Sequence, residues 1–169
     1  MTQSHRAQSV TDPVCGMQVD PERNPVRYME MDFAFCSDQC KERFLANPGL
    51  YVGRPGEQAP KQRGDELVKR RRMHLAEALP REAAEGLAST LHTMMGVKVV
   101  EINGAEVEIV YDLLQATAAQ IETAMMAYGA RLGDRWVDRF KRALVHAVEE
   151  DVLASQEVTH SRGPSGGCH

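Results

Sequence analysis

The chain has 169 residues, of which 43% are hydrophobic and 26% charged, as is ordinary for a folded protein of one domain or two small ones. Its formal net charge of −4 gives no reason to expect nucleic-acid binding. No apolar run approaches the ~20 residues of a membrane span, and residues 1–9 lack the apolar core of a secretory signal. We therefore expect a soluble cytoplasmic protein, without membrane insertion, whose cysteines stay reduced.

Three of the four cysteines, Cys15, Cys36 and Cys40, follow the spacing C-x20-C-x3-C. Thiolate sulfur is a soft ligand that suits Zn(II), Cu(I) or iron–sulfur centres. A gap of three residues at the start of a helix would put Cys36 and Cys40 one turn apart on the same face. Cys15 would arrive from a separate turn, which Pro13 and Gly16 mark. We predict that the three sulfur atoms converge on one metal ion; three buried thiols without a metal are the alternative.

Residues 10–52 have the signals of a small folded unit around these cysteines. Alternating apolar residues over 31–35 predict a strand, and Ser37 is a good N-cap for a helix over 38–46. Asn, Pro and Gly at 47–49 end that helix. A segment of ~40 residues rarely folds on its hydrophobic core alone, so a bound metal would supply stability.

The cysteines stand within a longer set of characteristic residues in this segment. The set comprises Asp12-Pro13-Val14-Cys15-Gly16-Met17, Tyr28, Phe35-Cys36-Ser37-x-x-Cys40, Phe44, Asn47-Pro48 and Tyr51. Together these motifs resemble a YHS domain, one of the TRASH-like metal-binding modules. The resemblance implies a zinc-finger-like unit that binds or senses heavy metals, often attached to copper-exporting ATPases, metallochaperones or metal-handling enzymes. Cys15, Cys36 and Cys40 match the positions of that family's ligands.

Three sulfur ligands leave the coordination shell open. Structural zinc normally has four ligands, whereas Cu(I) accepts few soft ones. Met17 and Met31 carry thioethers nearby, but we expect both to pack in the core. Cys168 and His169, at the end of a polar tail over 156–169 that we expect to be disordered, are candidate accessory ligands. An exposed thiol with no metal is the alternative for Cys168.

Residues 53–66 are rich in Gly, Pro and charge and predict an exposed hinge between two modules. The basic run over 69–72 follows at once. It could contact phosphate or an acidic partner, and the alternative is the solvated start of a strand.

Residues 67–133 predict a second module. The predicted elements are a strand over 73–79, a helix over 80–96, strands over 97–102 and 105–111 around the Asn103-Gly104 turn, a helix from Thr117 to Gly129, and a short strand over 130–132. The Asn-Gly turn is a strong hairpin signal, and Thr117 with Gln120 forms a capping box. The order β-α-β-β-α-β is a ferredoxin-like layout, within an α+β fold class.

In its length and hairpin this module is similar to a heavy-metal-associated domain, the small unit of copper chaperones and copper ATPases. That family carries Cys-x-x-Cys between its first strand and first helix, whereas residues 76–82 contain no cysteine here. No ligand is therefore carried over, and a docking, dimerising or scaffold role remains. His74 and His92 are expected to be ordinary surface or packing residues.

A long helix is predicted over 134–155. The apolar residues that recur at helical spacing are Trp136, Val137, Phe140, Leu144, Val148 and Val152, and we expect this stripe to pack within the chain. Pairing with another chain, as in a homodimer, is the alternative. His146 in this helix is expected to be structural.

The leading functional hypothesis is a heavy-metal-binding protein that buffers, senses or delivers Zn(II) or Cu(I) in homeostasis or efflux. Its partner would be a heavy-metal-transporting ATPase, to which thiolates could pass the ion. The alternative is an adaptor whose zinc is purely structural. No catalytic motif stands out, so we do not expect an enzyme.

Overall fold

The computed structural model of the chain describes residues 9–159. Within that range the strands are β1 (Val10–Thr11), β2 (Gln18–Val19), β3 (Val26–Tyr28), β4 (Met31–Phe33), β5 (Val68–His74), β6 (Val97–Asn103) and β7 (Glu106–Asp112). The helices are α1 (Asp38–Ala46), α2 (Arg81–His92), α3 (Ala118–Tyr128) and α4 (Trp136–Thr159), with a 3₁₀ turn at Pro48–Leu50. The predicted α+β class is confirmed. None of the described helices has both the length and the apolar character that crossing a membrane requires.

Two short antiparallel hairpins, β1–β2 and β3–β4, precede α1. The predicted N-cap is confirmed, because the Ser37 side chain accepts a hydrogen bond from the backbone N–H of Cys40 at 3.4 Å. The strand expected over 31–35 is shorter and ends at Phe33. These elements place two cysteines at the start of α1 and one in the β1–β2 turn.

An aromatic cluster around Phe44 forms the core beside α1. The rings of Tyr28, Phe33, Phe35 and Tyr51 lie with their centroids 5.0 to 5.9 Å from that of Phe44. Phe44 is fully buried. Aromatic pairs at these separations gain energy beyond that of the area they bury, so this cluster fixes the inward face of α1.

A three-stranded antiparallel sheet of order β5-β7-β6 forms the centre of the remaining chain. The predicted hairpin and the capping box of Thr117 and Gln120 are confirmed, and Gly129 ends α3 in the left-handed conformation. The strand predicted over 130–132 is reduced to a single bridge between Leu75 and Leu132.

The basic run lies in β5 and is paired within the chain. Arg70 and Arg72 reach the Glu108 carboxylate on β7 at 2.9 and 2.8 Å. Arg71 lies 3.6 Å from Glu149 of α4. The alternative prediction, the solvated start of a strand, is therefore confirmed, because β5 begins at Val68 and Arg70 and Arg72 are exposed.

The segment over 53–66 is anchored to the fold at its middle. Ala59 is 1% exposed and Pro60 is buried. The backbone N–H of Lys61 donates to the Leu50 carbonyl at 3.0 Å, and the Lys61 ammonium lies 3.2 Å from Asp112. The prediction of an exposed hinge is wrong at these residues, because Ala59 and Pro60 are buried and Lys61 is bonded to the rest of the fold.

Asp112, at the end of β7, is a fully buried carboxylate that collects donors from three parts of the chain. The donors are the backbone N–H groups of Leu67 and Leu114 and the side chains of Gln115 and Lys61, at 3.0 to 3.2 Å. Burial raises the pKa of Asp112, but these hydrogen bonds and the Lys61 charge outweigh it and hold the pKa below its usual value. The folded state therefore favours the ionised form.

We expect Asp112→Asn to lower the free energy of unfolding by about 2 kcal/mol at neutral pH, since it removes the charge from several buried hydrogen bonds. Because the folded pKa is depressed, this contribution is present above the unfolded pKa of ~3.9 and is lost as pH falls through the folded pKa. Urea unfolding across acidic pH should therefore show the two proteins converging. The same exchange at exposed Asp32 should change little at any pH.

Helix α4 packs through a polar anchor. Glu149 is 2% exposed, accepts a hydrogen bond from the backbone N–H of Ala118 at 2.8 Å, and accepts another from the Tyr111 hydroxyl. Burial raises the pKa of Tyr111, so its hydroxyl keeps the proton that it donates. The prediction that the apolar stripe packs within the chain is confirmed for Val152, which is partly buried against the core, and is wrong for Phe140, Leu144 and Val148, which are exposed. The side chains of Trp136 and Val137 lie outside the described part of the chain.

Both ends of the chain's described part contribute to one hydrophobic core. The Tyr51 hydroxyl donates to the Leu114 carbonyl at 2.6 Å. Near the end of α4, the Glu157 carboxylate accepts hydrogen bonds from the Gly49 backbone at 2.9 Å and the Asn47 side chain at 3.1 Å. The helix therefore extends beyond its predicted end and closes over the end of α1.

Candidate metal centre

The β1–β2 turn presents Cys15. Asp12 is fully buried, and its Oδ1 accepts a hydrogen bond from the backbone N–H of Val14 at 2.8 Å. The N–H of Gly16 donates to the Asp12 carbonyl at 2.8 Å, and Gly16 has a φ of +80°, which glycine adopts without strain. An Asp before Pro13 suits this turn, since its side-chain oxygen accepts the hydrogen bond that a backbone carbonyl would accept in an ordinary turn.

The same carboxylate joins the two segments that carry cysteines. Oδ2 of Asp12 accepts a hydrogen bond from the backbone N–H of Cys36 at 2.8 Å, across 24 residues of sequence. The sulfur atoms of Cys15 and Cys36 consequently lie 3.5 Å apart. Asp12 therefore fixes the relative position of the turn and the start of α1.

The sulfur atoms of Cys36 and Cys40 lie close together, but the reason is not the predicted one, a shared helical face. Helix α1 begins at Asp38, so Cys36 precedes the Ser37 cap and does not share a helical face with Cys40. The backbone at Ser37 is extended, so Cys36 lies outside the helix, and its sulfur atom is 3.5 Å from that of Cys40. Cys40 lies in the first turn of α1, directed at the sulfur atom of Cys36.

The distances fit a metal site better than a disulfide. The ligand atoms of Asp12, Cys15, Cys36 and Cys40 all lie within 4.8 Å of one another, so the four side chains could hold a metal ion. A tetrahedral centre with zinc–sulfur bonds of ~2.3 Å separates its sulfur atoms by ~3.8 Å, close to the observed 3.5 Å. A disulfide requires ~2.05 Å, and all three cysteines are free.

The three thiols differ in exposure and in acidity. Cys15 is partly exposed, whereas Cys36 and Cys40 are 7% and 0% exposed. A hydrogen bond from Cys40 lowers the pKa of Cys15 to about 7, while burial raises the pKa of Cys36 to about 11. The bond to Cys15, and then burial, raise the pKa of Cys40. Without metal, the cluster therefore favours one thiolate, at its exposed edge, supported by two thiols.

The structure adds a donor that the predicted ligand set lacked. The sequence motif includes Asp12 but gives it no role as a ligand, although an Asp in a turn is known to accept a hydrogen bond from the backbone two residues on. Met17 and Met31 are 48% and 44% exposed, so the expectation that they pack in the core is wrong. Cys168 and His169, the candidate accessory ligands, lie outside the described residues.

Three thiols and a carboxylate around one point define a candidate site for a thiophilic metal. Residues 10–54, about a quarter of the chain, match the family model of the YHS domain. The matched segment contains the whole cluster. No curated protein and no solved structure matches the chain. The likeness of residues 67–133 to a heavy-metal-associated domain stays a prediction.

Proposed function

We propose that this protein binds one Zn(II) or Cu(I) ion at Cys15, Cys36, Cys40 and Asp12, and that it buffers, senses or delivers the ion. The observation that carries the proposal is the 3.5 Å spacing of the sulfur atoms in both neighbouring pairs, with a buried carboxylate beside them. Soft sulfur ligands favour Zn(II) and Cu(I) over hard cations. The role is binding and transfer rather than catalysis.

The exposure of the cluster supports exchange of the ion with another molecule. Cys36 and Cys40 lie inside the protein, while Cys15 is reached from solvent. An incoming thiolate could therefore replace Cys15 first, while the two buried sulfurs hold the ion. A heavy-metal-transporting ATPase of the same cytoplasmic compartment is the partner that we propose for this transfer.

A structural role for zinc is the second candidate, and one contact favours it. Gln39, between the two cysteines of the α1 region, donates from its side chain to the carbonyls of Met95 and Gln115 at 2.9 and 3.0 Å. An ion that orders the start of α1 would also stabilise this contact with the rest of the chain. The protein would then be an adaptor held in shape by zinc.

Elemental analysis of protein purified under reducing conditions, followed by a Cu(I)–Zn(II) competition titration, tests the proposal. We expect one ion per chain, removed by a chelator without loss of the far-ultraviolet circular dichroism signal. Removal that proceeds only together with unfolding would favour the structural candidate. Protein that takes up neither ion in stoichiometric amount would contradict both.

A further inference from the structure

The clustered cysteines differ in how easily a molecule in solvent reaches them. Cys15 is partly exposed, whereas Cys36 and Cys40 are 7% and 0% exposed. The space beside the next residue, Gly16, is open, because a Cβ atom there would have no atom of the described chain within 4 Å apart from its chain neighbours. A small molecule from solvent therefore reaches the sulfur atom of Cys15 before the other two.

Cys36 places a second sulfur atom beside that of Cys15. The two atoms lie 3.5 Å apart, so they need to approach by about 1.5 Å to form a disulfide of ~2.05 Å. Asp12 accepts hydrogen bonds from the backbone N–H groups of Val14 and Cys36, both at 2.8 Å. These bonds join the two backbone segments directly, and they do not depend on a metal ion.

The backbone around Cys36 leaves its side chain more freedom than that of Cys40. Cys36 precedes Ser37, whose backbone is extended, and it lies outside α1. Cys40 belongs to the first turn of α1, and its backbone N–H donates to the Ser37 hydroxyl at 3.4 Å. Cys36 can therefore turn toward Cys15 without distorting the helix, whereas movement of Cys40 would disturb the helix cap.

We propose that Cys15 is a site of reversible oxidation by small hydroperoxides, and that Cys36 is the resolving cysteine. The Cys15 thiolate attacks one oxygen of the hydroperoxide, so that an S–O bond forms and the O–O bond breaks. The other oxygen takes a proton from solvent and leaves as water or an alcohol. The sulfur of Cys36 then attacks that of Cys15, an S–S bond forms, and the oxygen on Cys15 leaves as water with a proton from Cys36 or from solvent. The two sulfur atoms together supply the two electrons that reduce one hydroperoxide.

The disulfide would also regulate the metal site, and this part of the inference rests on the proposed function. It removes two of the three sulfur donors and leaves Cys40 and Asp12, one soft ligand and one hard ligand. A thiophilic ion is therefore released when the pair is oxidised. Small thiols reverse the change by thiol–disulfide exchange, after which the three sulfur atoms are again available to the ion.

Peroxide treatment of the Zn(II)-loaded full chain tests the inference. The chain carries Cys168→Ser, so the three clustered cysteines are its only thiols. We expect hydrogen peroxide to produce a disulfide between Cys15 and Cys36 and to release one zinc ion per disulfide, measured with a chromogenic chelator. Dithiothreitol should restore the bound ion. Mass spectrometry identifies the disulfide, because cleavage before three aspartates separates the cysteines: Asp20, Asp32 and Asp38.

Two matched variants of the metal-free Cys168→Ser chain test the roles of the cysteines. Cys40→Ser keeps both members of the proposed pair and should form the disulfide at nearly the parent rate. Cys15→Ser leaves only the two buried sulfur atoms, and oxidation should slow by more than about tenfold. A disulfide to Cys40, equal slowing in both variants, or an ion that stays bound to the oxidised chain would overturn the proposal. A chain that binds no zinc but forms the disulfide between Cys15 and Cys36 would refute the proposed function while supporting the oxidation site.

Discussion

Replacing Cys40 by serine should lower the affinity for Zn(II) or Cu(I) by more than ~100-fold. Residues that only support metal ligands already contribute about 10- to 100-fold, and Cys40 stands among the donors themselves. Its sulfur is fully buried, 3.5 Å from that of Cys36, and a serine oxygen is both harder and shorter. Competition with a chelator of known affinity, combined with elemental analysis, measures the change.

The matched control is Cys168→Ser, the same chemical change at the cysteine outside the YHS-like segment. We expect this variant to keep one ion per chain at wild-type affinity, because in the proposed site Asp12 is the fourth donor. Full metal binding by the Cys40 variant would exclude the site. Weakened binding by the Cys168 variant would instead bring the tail into the coordination shell and reduce Asp12 to a structural residue.

The sequence predicts that the sulfur atoms of Cys15, Cys36 and Cys40 lie close together, but it does not predict that Asp12 positions them. Cys15, Cys36 and Cys40 could be grouped because thiolates are soft metal ligands and because the motifs that flank these cysteines are specific. Asp12 could not be assigned, because its hydrogen bond to Cys36 spans 24 residues. Such a contact depends on the tertiary packing of two segments, which spacing does not encode.

Local signals predicted the elements better than their packing. The Asn103-Gly104 turn and the capping box at Thr117 are decided by neighbouring residues, and both were found. The orientation of α4 was not local. Its apolar stripe competed with a face centred on Glu149, and two partners far along the chain, Tyr111 and Ala118, satisfy that carboxylate. The repeat pattern alone predicts that the apolar stripe faces the core. In the structure the helix face that carries Glu149 is buried instead, and Phe140, Leu144 and Val148 are exposed.

The second large effect concerns the hydrophobic core that residues 10–54 share with the rest of the described chain. We expect Phe44→Ala to lower the free energy of unfolding of the metal-free protein by about 3–5 kcal/mol. Phe44 is fully buried among four aromatic rings, and the cavity that alanine leaves cannot be filled by rigid neighbours. Leu45→Ala, one residue away but 53% exposed, should cost less than about 0.5 kcal/mol.

The same variant tests whether the YHS-like segment unfolds alone. Phe44 packs on Tyr51, whose hydroxyl donates to Leu114 beyond the sheet, so the destabilisation should reach β7 and α3. We expect one cooperative transition for wild type and variant in urea, with circular dichroism and amide hydrogen exchange at β7 shifting together. If the exchange of β7 kept its wild-type protection while residues 10–54 unfolded, the two parts would be energetically independent. In that case a metal ion at the cluster would stabilise its own segment only, as a self-contained zinc-finger-like unit would require.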